Sequence, residues 1–440
     1  MASSSAIDRD IDTDAVAALQ NAVLDWRYKA APVSASGETA GSFVAAHPTL
    51  ASFSTPLLTL DRAAVHHNLD RLAHWCAERG VLLAPHGKTT MAPQLWAEQL
   101  QRGAWGITLA NFAQLRVARA FGVRRLQLAN SLTDPQAISW VAEETAAGRP
   151  VLSWVDAEET VERIGRVLSA AGSTAVLDVL VELGGHGGRT GARSVGAAQQ
   201  VARAVARSPF LRLVGVSGYE GALAHTADPS GLAAVREYLG QMAVLHTALL
   251  EENLYGDGAD VILTAGGSAY FDEVVDVLSP CVTGAETKGG PAVRLMIRSG
   301  AYLVHDDGFY RGISPFSRSG AAPLAAGMHG WARVVSLPEP GLAILDGGKR
   351  DFPVDEGLPE PQLIGAGLGE PMRPLKATIT AVNDQHCFLA YDPALEIRMG
   401  DVVRLGLSHP CTALDKWTLI PVLADTDQDP TVVDLVHTFF

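Results

Sequence analysis

The sequence predicts an α/β fold, a (β/α)8 TIM-type barrel followed by a C-terminal β-rich domain. Three observations predict it. Eight short apolar runs alternate with helix-like segments between residues 57 and 264. The runs are nearly continuous in apolar residues, as in strands buried on both faces of a parallel sheet. After residue 300 the texture changes to short runs separated by Pro and Gly, with little helical period. An open doubly wound sheet competes for the first part, but eight strands, each followed by a helix, is the arithmetic of a closed barrel.

The elements follow in order. Asp14 to Leu24 reads as a helix, and Ala31 to Gly41 is small, polar and loop-like. The strand-like runs are Leu57 to Leu60, Val81 to Ala84, Trp105 to Ala110, Leu126 to Ala129, Val151 to Val155, Val176 to Leu183, Leu213 to Ser217 and Val261 to Thr264. Arg62 to Arg79 carries Val65, Leu69, Leu72 and Trp75 three or four apart, the stripe of an amphipathic helix. Gly191 to Arg207 and Ser230 to Asn253 behave similarly. Beyond 300, Ala332 to Leu337, Leu342 to Asp346, Lys376 to Val382, Cys387 to Ala390 and Val402 to Leu405 read as strands with turns between them. The expected domains are residues 1–50 as an extension, partly loop, packing on the β domain; 51–300 as the barrel; and 301–440 as the β domain.

Composition narrows the class. The chain has 440 residues, 48% apolar and 19% charged, as in an ordinary globular protein large enough for two domains. Its net charge of -14, from 34 Lys+Arg against 48 Asp+Glu, opposes binding to nucleic acid or anionic membranes. No stretch approaches the ~20 unbroken apolar residues of a membrane span. Met1-Ala2-Ser3-Ser4-Ser5 lacks the basic-then-apolar order of a secretory signal. The cysteines, Cys76, Cys281, Cys387 and Cys411, are too scattered for a disulfide framework, so a cytoplasmic location is expected.

Barrel active sites lie at the C-terminal ends of the strands, and unusual residues fall there. Lys88 follows the Val81–Ala84 run within Pro85-His86-Gly87-Lys88-Thr89-Thr90. A lysine at a buried strand end is costly unless its charge is used, and a desolvated amine forms Schiff bases; a solvated lysine in the turn after a strand is the plainer reading. Arg189 ends the glycine-rich stretch Gly184 to Gly188, and Tyr219 sits between Gly218 and Glu220-Gly221 after the seventh run. Its ring suits packing against a planar ligand; a core aromatic is the plainer reading. Gly266, Gly267 and Ser268 follow the eighth run. Glycine amides and a serine hydroxyl can cradle a phosphate, and barrels place such sites after their last strands. Ser408-His409-Pro410-Cys411 offers two zinc-ligand types, two apart and on one side of an extended chain. Two protein ligands are too few for a structural zinc; water and substrate oxygens would complete the shell. A buried cysteine beside a hydrogen-bonded histidine is the alternative. His86, His186, His225, His305 and His386 show no comparable spacing and read as pocket-lining or surface residues.

Taken together, Pro85-His86-Gly87-Lys88-Thr89-Thr90, Arg189-Thr190-Gly191, Gly218-Tyr219-Glu220-Gly221, Ala265-Gly266-Gly267-Ser268 and His409-Pro410-Cys411-Thr412 resemble the D-serine dehydratase and D-threonine aldolase family, from about Thr55 to Trp417. Residues 1–50 fall outside it. The resemblance implies an alanine racemase-like barrel binding pyridoxal 5'-phosphate, with Lys88 as the Schiff-base lysine. It also implies Arg189 near the phenolic oxygen, Tyr219 near the pyridine ring, and Gly266, Gly267 and Ser268 on the phosphate. It further implies a divalent metal on His409 and Cys411 in the β domain, holding the β-hydroxyl of a 3-hydroxy amino acid. Aldolase-type members carry His-x-Asp and dehydratase-type members His-x-Cys; Cys411 makes zinc the natural metal. A homodimer with composite active sites is implied. The function expected is deamination of D-serine-like 3-hydroxy-D-amino acids to a 2-oxo acid and ammonia. Aldol cleavage to glycine and an aldehyde is the alternative, with racemisation and non-catalytic cofactor carriage behind it.

Overall fold

The computed structural model describes residues 10–258, 260–282 and 292–440. Two units divide it. One is built from Ala73–Lys88 and Gln99–Gly300 with a few residues before Thr13; the other comprises Thr13–Leu72, Thr89–Glu98 and Ala301–Phe440.

The first apolar run does not enter the barrel. Leu57–Asp61 forms β1, buried along its whole length. It pairs antiparallel with the strand at Met328–Glu339, Leu57 opposite Trp331 and Leu60 opposite Met328. On its other side it runs parallel to Leu419–Asp425. Counting it as the first barrel strand is therefore corrected. An apolar run reports burial on both faces, and a central strand of either sheet satisfies that equally.

The barrel strands are β2 (Leu82–Leu83), β3 (Ile107–Leu109), β4 (Leu126–Ser131), β5 (Val151–Val155), β6 (Leu177–Leu183), β7 (Leu211–Gly218), β8 (Val261–Ala265) and β9 (Val293–Ile297). They lie in the order β2-β9-β8-β7-β6-β5-β4-β3, all parallel. The chain after β2 then reaches β3: Leu83 O accepts from Trp105 N–H at 2.7 Å and Pro85 O from Thr108 N–H at 3.0 Å. Eight parallel strands are thus present, but the eighth is β9, absent from the sequence-based count. Helices Arg62–Glu78, Val195–Arg207 and Pro229–Glu251 fall where periodicity predicts them. Ser194 and Asp228 cap the latter two, each accepting from a backbone N–H three residues on.

Side chains two apart on a strand share a face, and that rule builds the barrel interior in layers. Ala84, Leu152, Trp154, Leu180, Val214, Ile262 and Met296 form one buried cluster. Its members come from strands all round the sheet, so it fills the barrel. Two residues further on from Ala84, Leu152, Leu180, Ile262 and Met296 stand His86, Trp154, Glu182, Thr264 and Arg298. A largely polar layer therefore lies on the apolar one at the C-terminal ends of the strands.

In the second unit, β1 is joined by β10 (Met328–Glu339), β11 (Leu342–Leu345), β12 (Glu360–Gly365), β13 (Met372–Pro374), β14 (Ala377–Val382), β15 (Cys387–Tyr391), β16 (Val402–Gly406), β17 (Leu419–Asp425) and β18 (Asp429–His437). The main order is β13-β12-β16-β10-β1-β17-β18, with β11, β15 and β14 branching from β10. Leu24, Ala35, Ala40, Phe43 and Leu50 share a core with Leu57, Trp331, Val402 and Leu419, so the N-terminal segment covers this sheet. The helix expected over Asp14 to Leu24 is shorter, Thr13–Ala17 followed by a 3-10 turn, Ala18–Asn21. Among the described residues no helix is long and apolar enough to cross a membrane, and no disulfide joins the four cysteines.

Candidate functional site

In the barrel unit, the chain leaving β2 keeps its strand course through His86, whose N–H donates to Arg298 O at 3.1 Å. It then tightens into a 3-10 turn, Gly87–Thr89, carrying the half-buried Lys88. His86 is held well below its ordinary pKa, first by burial and then by the positive charges of Lys88, Arg298 and Arg189. The imidazole is therefore neutral, and those cations surround it.

Arg189 and Tyr219 come together: the guanidinium lies 5.2 Å from the ring centroid. Tyr219 N–H donates to the Tyr238 hydroxyl at 3.1 Å. The same ring lies over the Gly266–Ser268 turn, where a Cβ on Gly267 would stand 3.1 Å from Tyr219 Cε2. Gly266 has φ +94°, a conformation that glycine tolerates and side chains resist. The Gly266 and Gly267 amides donate to the buried Glu220 carboxylate at 2.9 and 2.8 Å. The turn thus binds an anion, but one supplied by the chain itself. Ser268 is the half-buried polar residue beside it.

The polar layer beneath is incompletely satisfied. Arg298 donates to Thr264 Oγ1 and to Gly218 O, both at 2.6 Å, with its guanidinium 4.9 Å from the Trp154 ring centroid. Thr190 donates to Glu182 Oε1 at 2.9 Å. His86 Nδ1, Trp154 Nε1 and Glu182 Oε2 are buried with no hydrogen-bond partner. Buried polar atoms are nearly always paired, so this layer suits a polar guest at the mouth of the barrel. Burial pushes the Glu182 carboxyl up to about 7.

In the second unit, β16 delivers Ser408 and His409 to a short helix, Pro410–Leu414. The expected extended His-x-Cys is corrected here. Pro410 opens the helix, as proline suits the first helical position, and His409 before it is left-handed at φ +62°. That conformation costs a non-glycine residue roughly 1–3 kcal/mol. Its N–H is held by Asp306 Oδ2 at 2.9 Å. Asp306 is buried, which lifts its carboxyl to about 6, and its other oxygen accepts from the amides of Gly308, Tyr310 and Arg311.

The helical turn still brings the two side chains together. His409 Nδ1 lies 2.5 Å from Asp355 Oδ2, whose Oδ1 accepts from the Thr412 hydroxyl at 2.7 Å. The Cys411 sulfur lies within hydrogen-bond reach of the imidazole, and 3.3 Å from Thr89 Oγ1. Burial works to lower the His409 pKa, but Cys411 and Asp355 outweigh it and lift it to about 9. An imidazole and a thiol side by side, partly shielded and anchored from behind, are what a soft divalent metal needs. Among the described residues no three His, Cys, Asp or Glu side chains converge on one metal position.

Sequence reasoning missed Glu182, Arg298, Asp306 and Asp355. Glu182 and Arg298 carry a usable signal, a charged residue in phase with the apolar positions of a buried strand. Asp306 and Asp355 carry none, because their loops meet His409 only in three dimensions.

Comparison with known proteins agrees with this architecture. Residues 327–423 match the family described as "Putative serine dehydratase domain". The chain is 26% identical over 362 residues to the D-threonine aldolase of an Arthrobacter species, covering 82% of this chain and 86% of that protein. It is 24% identical over 337 residues to the 3-hydroxy-D-aspartate aldolase of Paracoccus denitrificans (strain Pd 1222), covering 74% and 80%. Among solved structures, D-threonine aldolase from Filomicrobium marinum superposes with a TM-score of 0.71 at 22% identity, covering 89% of this chain and 97% of that one. D-threo-3-hydroxyaspartate dehydratase from Delftia sp. HT23 gives 0.69 at 20%, covering 89% and 99%. Alanine racemase of Clostridium difficile 630 gives 0.59 at 13%, covering 88% and 99%. The fold is alanine racemase-like.

Proposed function

We propose that this chain, a homologue of the D-threonine and 3-hydroxy-D-aspartate aldolases with a serine dehydratase domain in its C-terminal part, is a pyridoxal-phosphate- and metal-dependent lyase of 3-hydroxy-D-amino acids. The favoured reaction is dehydratase-type deamination of a D-serine-like substrate to a 2-oxo acid and ammonia. The observation that carries this reading is the His409–Cys411 pair with Asp355 behind it.

Lys88 would hold the cofactor covalently through Nζ, with Arg189 and Tyr219 flanking it and Ser268 supplying donors to its phosphate. When bound, the cofactor supplies an electron sink for negative charge at the substrate Cα. The Lys88 amine, released from that link when the substrate amine takes its place, would serve as the base that takes the α-proton. His86, kept neutral, adds no further positive charge beside that amine. His409 Nε2 and Cys411 Sγ would bind a metal, zinc by the softness of the thiolate. A metal there would supply Lewis acidity toward the substrate β-hydroxyl and make it a better leaving group. Net loss of water across Cα–Cβ followed by hydrolysis would give the 2-oxo acid and ammonia. A homodimer with composite sites and a cytoplasmic location complete the proposal.

The named relatives favour a second reading, in which the Cα–Cβ bond is cleaved to glycine and an aldehyde. Both reactions would use the same cofactor lysine and metal pair, and cleavage would need a base for the β-hydroxyl proton besides. They part in an assay with D-serine, D-threonine and D-threo-3-hydroxyaspartate supplied separately, with and without chelator. Chelator-sensitive 2-oxo acid supports the first reading. Glycine plus aldehyde overturns it in favour of the second, and activity indifferent to chelator overturns both.

A further inference from the structure

We propose that Asp355 is a positioning residue that fixes the ring orientation of His409, so that Nδ1 is held back and Nε2 is the nitrogen offered to the metal. The inference rests on the metal site proposed above. An imidazole has two nitrogens, and only the one without hydrogen can bind a metal. Asp355 Oδ2 lies 2.5 Å from Nδ1. A carboxylate only accepts, so Nδ1 keeps its hydrogen on Asp355, and the proton that an incoming metal displaces is the one on Nε2. The carboxylate is itself held, since its second oxygen accepts from Thr412 at 2.7 Å.

A second, independent contact fixes the same residue. The His409 backbone is left-handed at φ +62°, and its N–H is tied to Asp306 Oδ2 at 2.9 Å. Asp306 also holds the amides of Gly308, Tyr310 and Arg311, which anchors it to the start of the helix Phe309–Ile313. The main chain of His409 is set by one carboxylate and its ring by another. Asp355 is not a third ligand in this arrangement, because one oxygen is engaged by the His409 ring and the other by the Thr412 hydroxyl.

The test is metal affinity rather than turnover. Cobalt(II) is titrated into the purified full-length protein against a chromogenic chelator, and the thiolate-to-cobalt absorption band is followed. Asp355→Ala is expected to weaken cobalt binding about 10- to 100-fold, while at saturation it shows the same band and the same d–d envelope as the parent. Thr412→Val, which removes one anchor of the carboxylate and the weaker 3.3 Å contacts of the same hydroxyl to His409, is expected to weaken it by less. Asp355→Asn, which keeps an acceptor, is expected to fall between Asp355→Ala and the parent, and it stands in if the alanine variant does not fold. Unchanged affinity in both Asp355 variants overturns the inference, as does a changed d–d envelope at saturation, which would make Asp355 a ligand. Cys411→Ala separates the two levels. Loss of the band there with full affinity in the Asp355 variants sinks only the positioning role. A band that survives Cys411→Ala sinks the metal site itself.

Discussion

Glu182 is the residue whose removal should improve stability. Its side chain is buried on β6, facing the barrel interior, with Oε2 unpaired and Oε1 accepting from Thr190 at 2.9 Å. Burial is the main cause of a carboxyl lifted from 4.5 to about 7, with the nearby Asp156 charge adding to it and Thr190, Arg298 and Arg193 opposing. The folded state therefore holds a proton that the unfolded state has lost between pH 4.5 and about 7. Stability from this group is full below the lower value and is lost as pH rises through the upper one. At about 1.4 kcal/mol per pH unit, the charge costs about 3 kcal/mol above pH 7. Glutamine keeps the shape and the acceptor for Thr190 but carries no charge. Glu182→Gln should thus raise the melting temperature at pH 8 by roughly 6–12 °C, at 2–4 °C per kcal/mol for a domain of this size. At pH 4.5 the two proteins should melt together. Differential scanning calorimetry of both proteins in the same ligand-free buffer at pH 4.5, 6, 7 and 8 reads this directly. The buried His246, His305 and His329, each lowered to about 4 chiefly by burial, titrate in the same range but cancel in the difference. An equal shift at pH 4.5 and 8, or a glutamine variant less stable at pH 8, would refute the reasoning.

Three further outcomes follow from the geometry. Lys88→Ala should abolish the visible absorption of the cofactor-loaded protein, because no other residue in the proposed site is placed to make the covalent link; a variant that stays yellow after extensive dialysis sinks Lys88. Cys411→Ala should keep that absorption yet lose bound zinc, measured by atomic absorption, together with at least tenfold in kcat, since the thiolate is one of only two proposed protein ligands. Gly266→Ala should lower stability by about 1–2 kcal/mol, because φ +94° disfavours a side chain. Its new Cβ would also press within 3.2 Å of Ile297 Cβ, so urea midpoints of variant and parent should separate.

How much of this was legible depends on how local the signal is. The helices Arg62–Glu78 and Val195–Arg207 are read from spacing because one stripe of each is buried. Apolar runs are read as strands for the same reason, but burial does not say which sheet buries them, and β1 was misassigned on that account. The strand β9 was missed because Arg294 and Arg298 bracket only three apolar residues, Leu295, Met296 and Ile297, leaving a run too short to stand out. The Lys88, Arg189, Tyr219 and Gly266–Ser268 positions were legible as oddities at strand ends, and the structure brings Arg189, Tyr219 and Gly267 into contact. The supporting shell was not legible. Glu220 meets the glycine turn across 46 residues, Asp355 meets His409 across 54, and Asp306 meets it across 103. Contacts of that separation leave no periodic trace in one chain.

The surroundings of His409 bear on which bond is broken. Aldol cleavage needs a base to take the proton from the β-hydroxyl; dehydration needs that hydroxyl made a good leaving group and no such base. Two carboxylates adjoin His409: Asp306 is committed to backbone amides, and Asp355 has one oxygen on the His409 ring and one on the Thr412 hydroxyl. His409 has Nδ1 committed to Asp355, and Nε2 is the nitrogen proposed for the metal. Thr89 and Thr412 are weak bases. What the cluster offers a bound hydroxyl is thus Lewis acidity without an uncommitted base, and this supports loss of water over carbon–carbon cleavage. The argument yields a measurable partition: Asp355→Ala, by freeing the imidazole, should not convert the enzyme into an aldolase. A glycine-to-oxo-acid ratio from D-threonine that rises on that substitution would show that the carboxylate suppresses cleavage by restraining His409, and that the imidazole is the missing base.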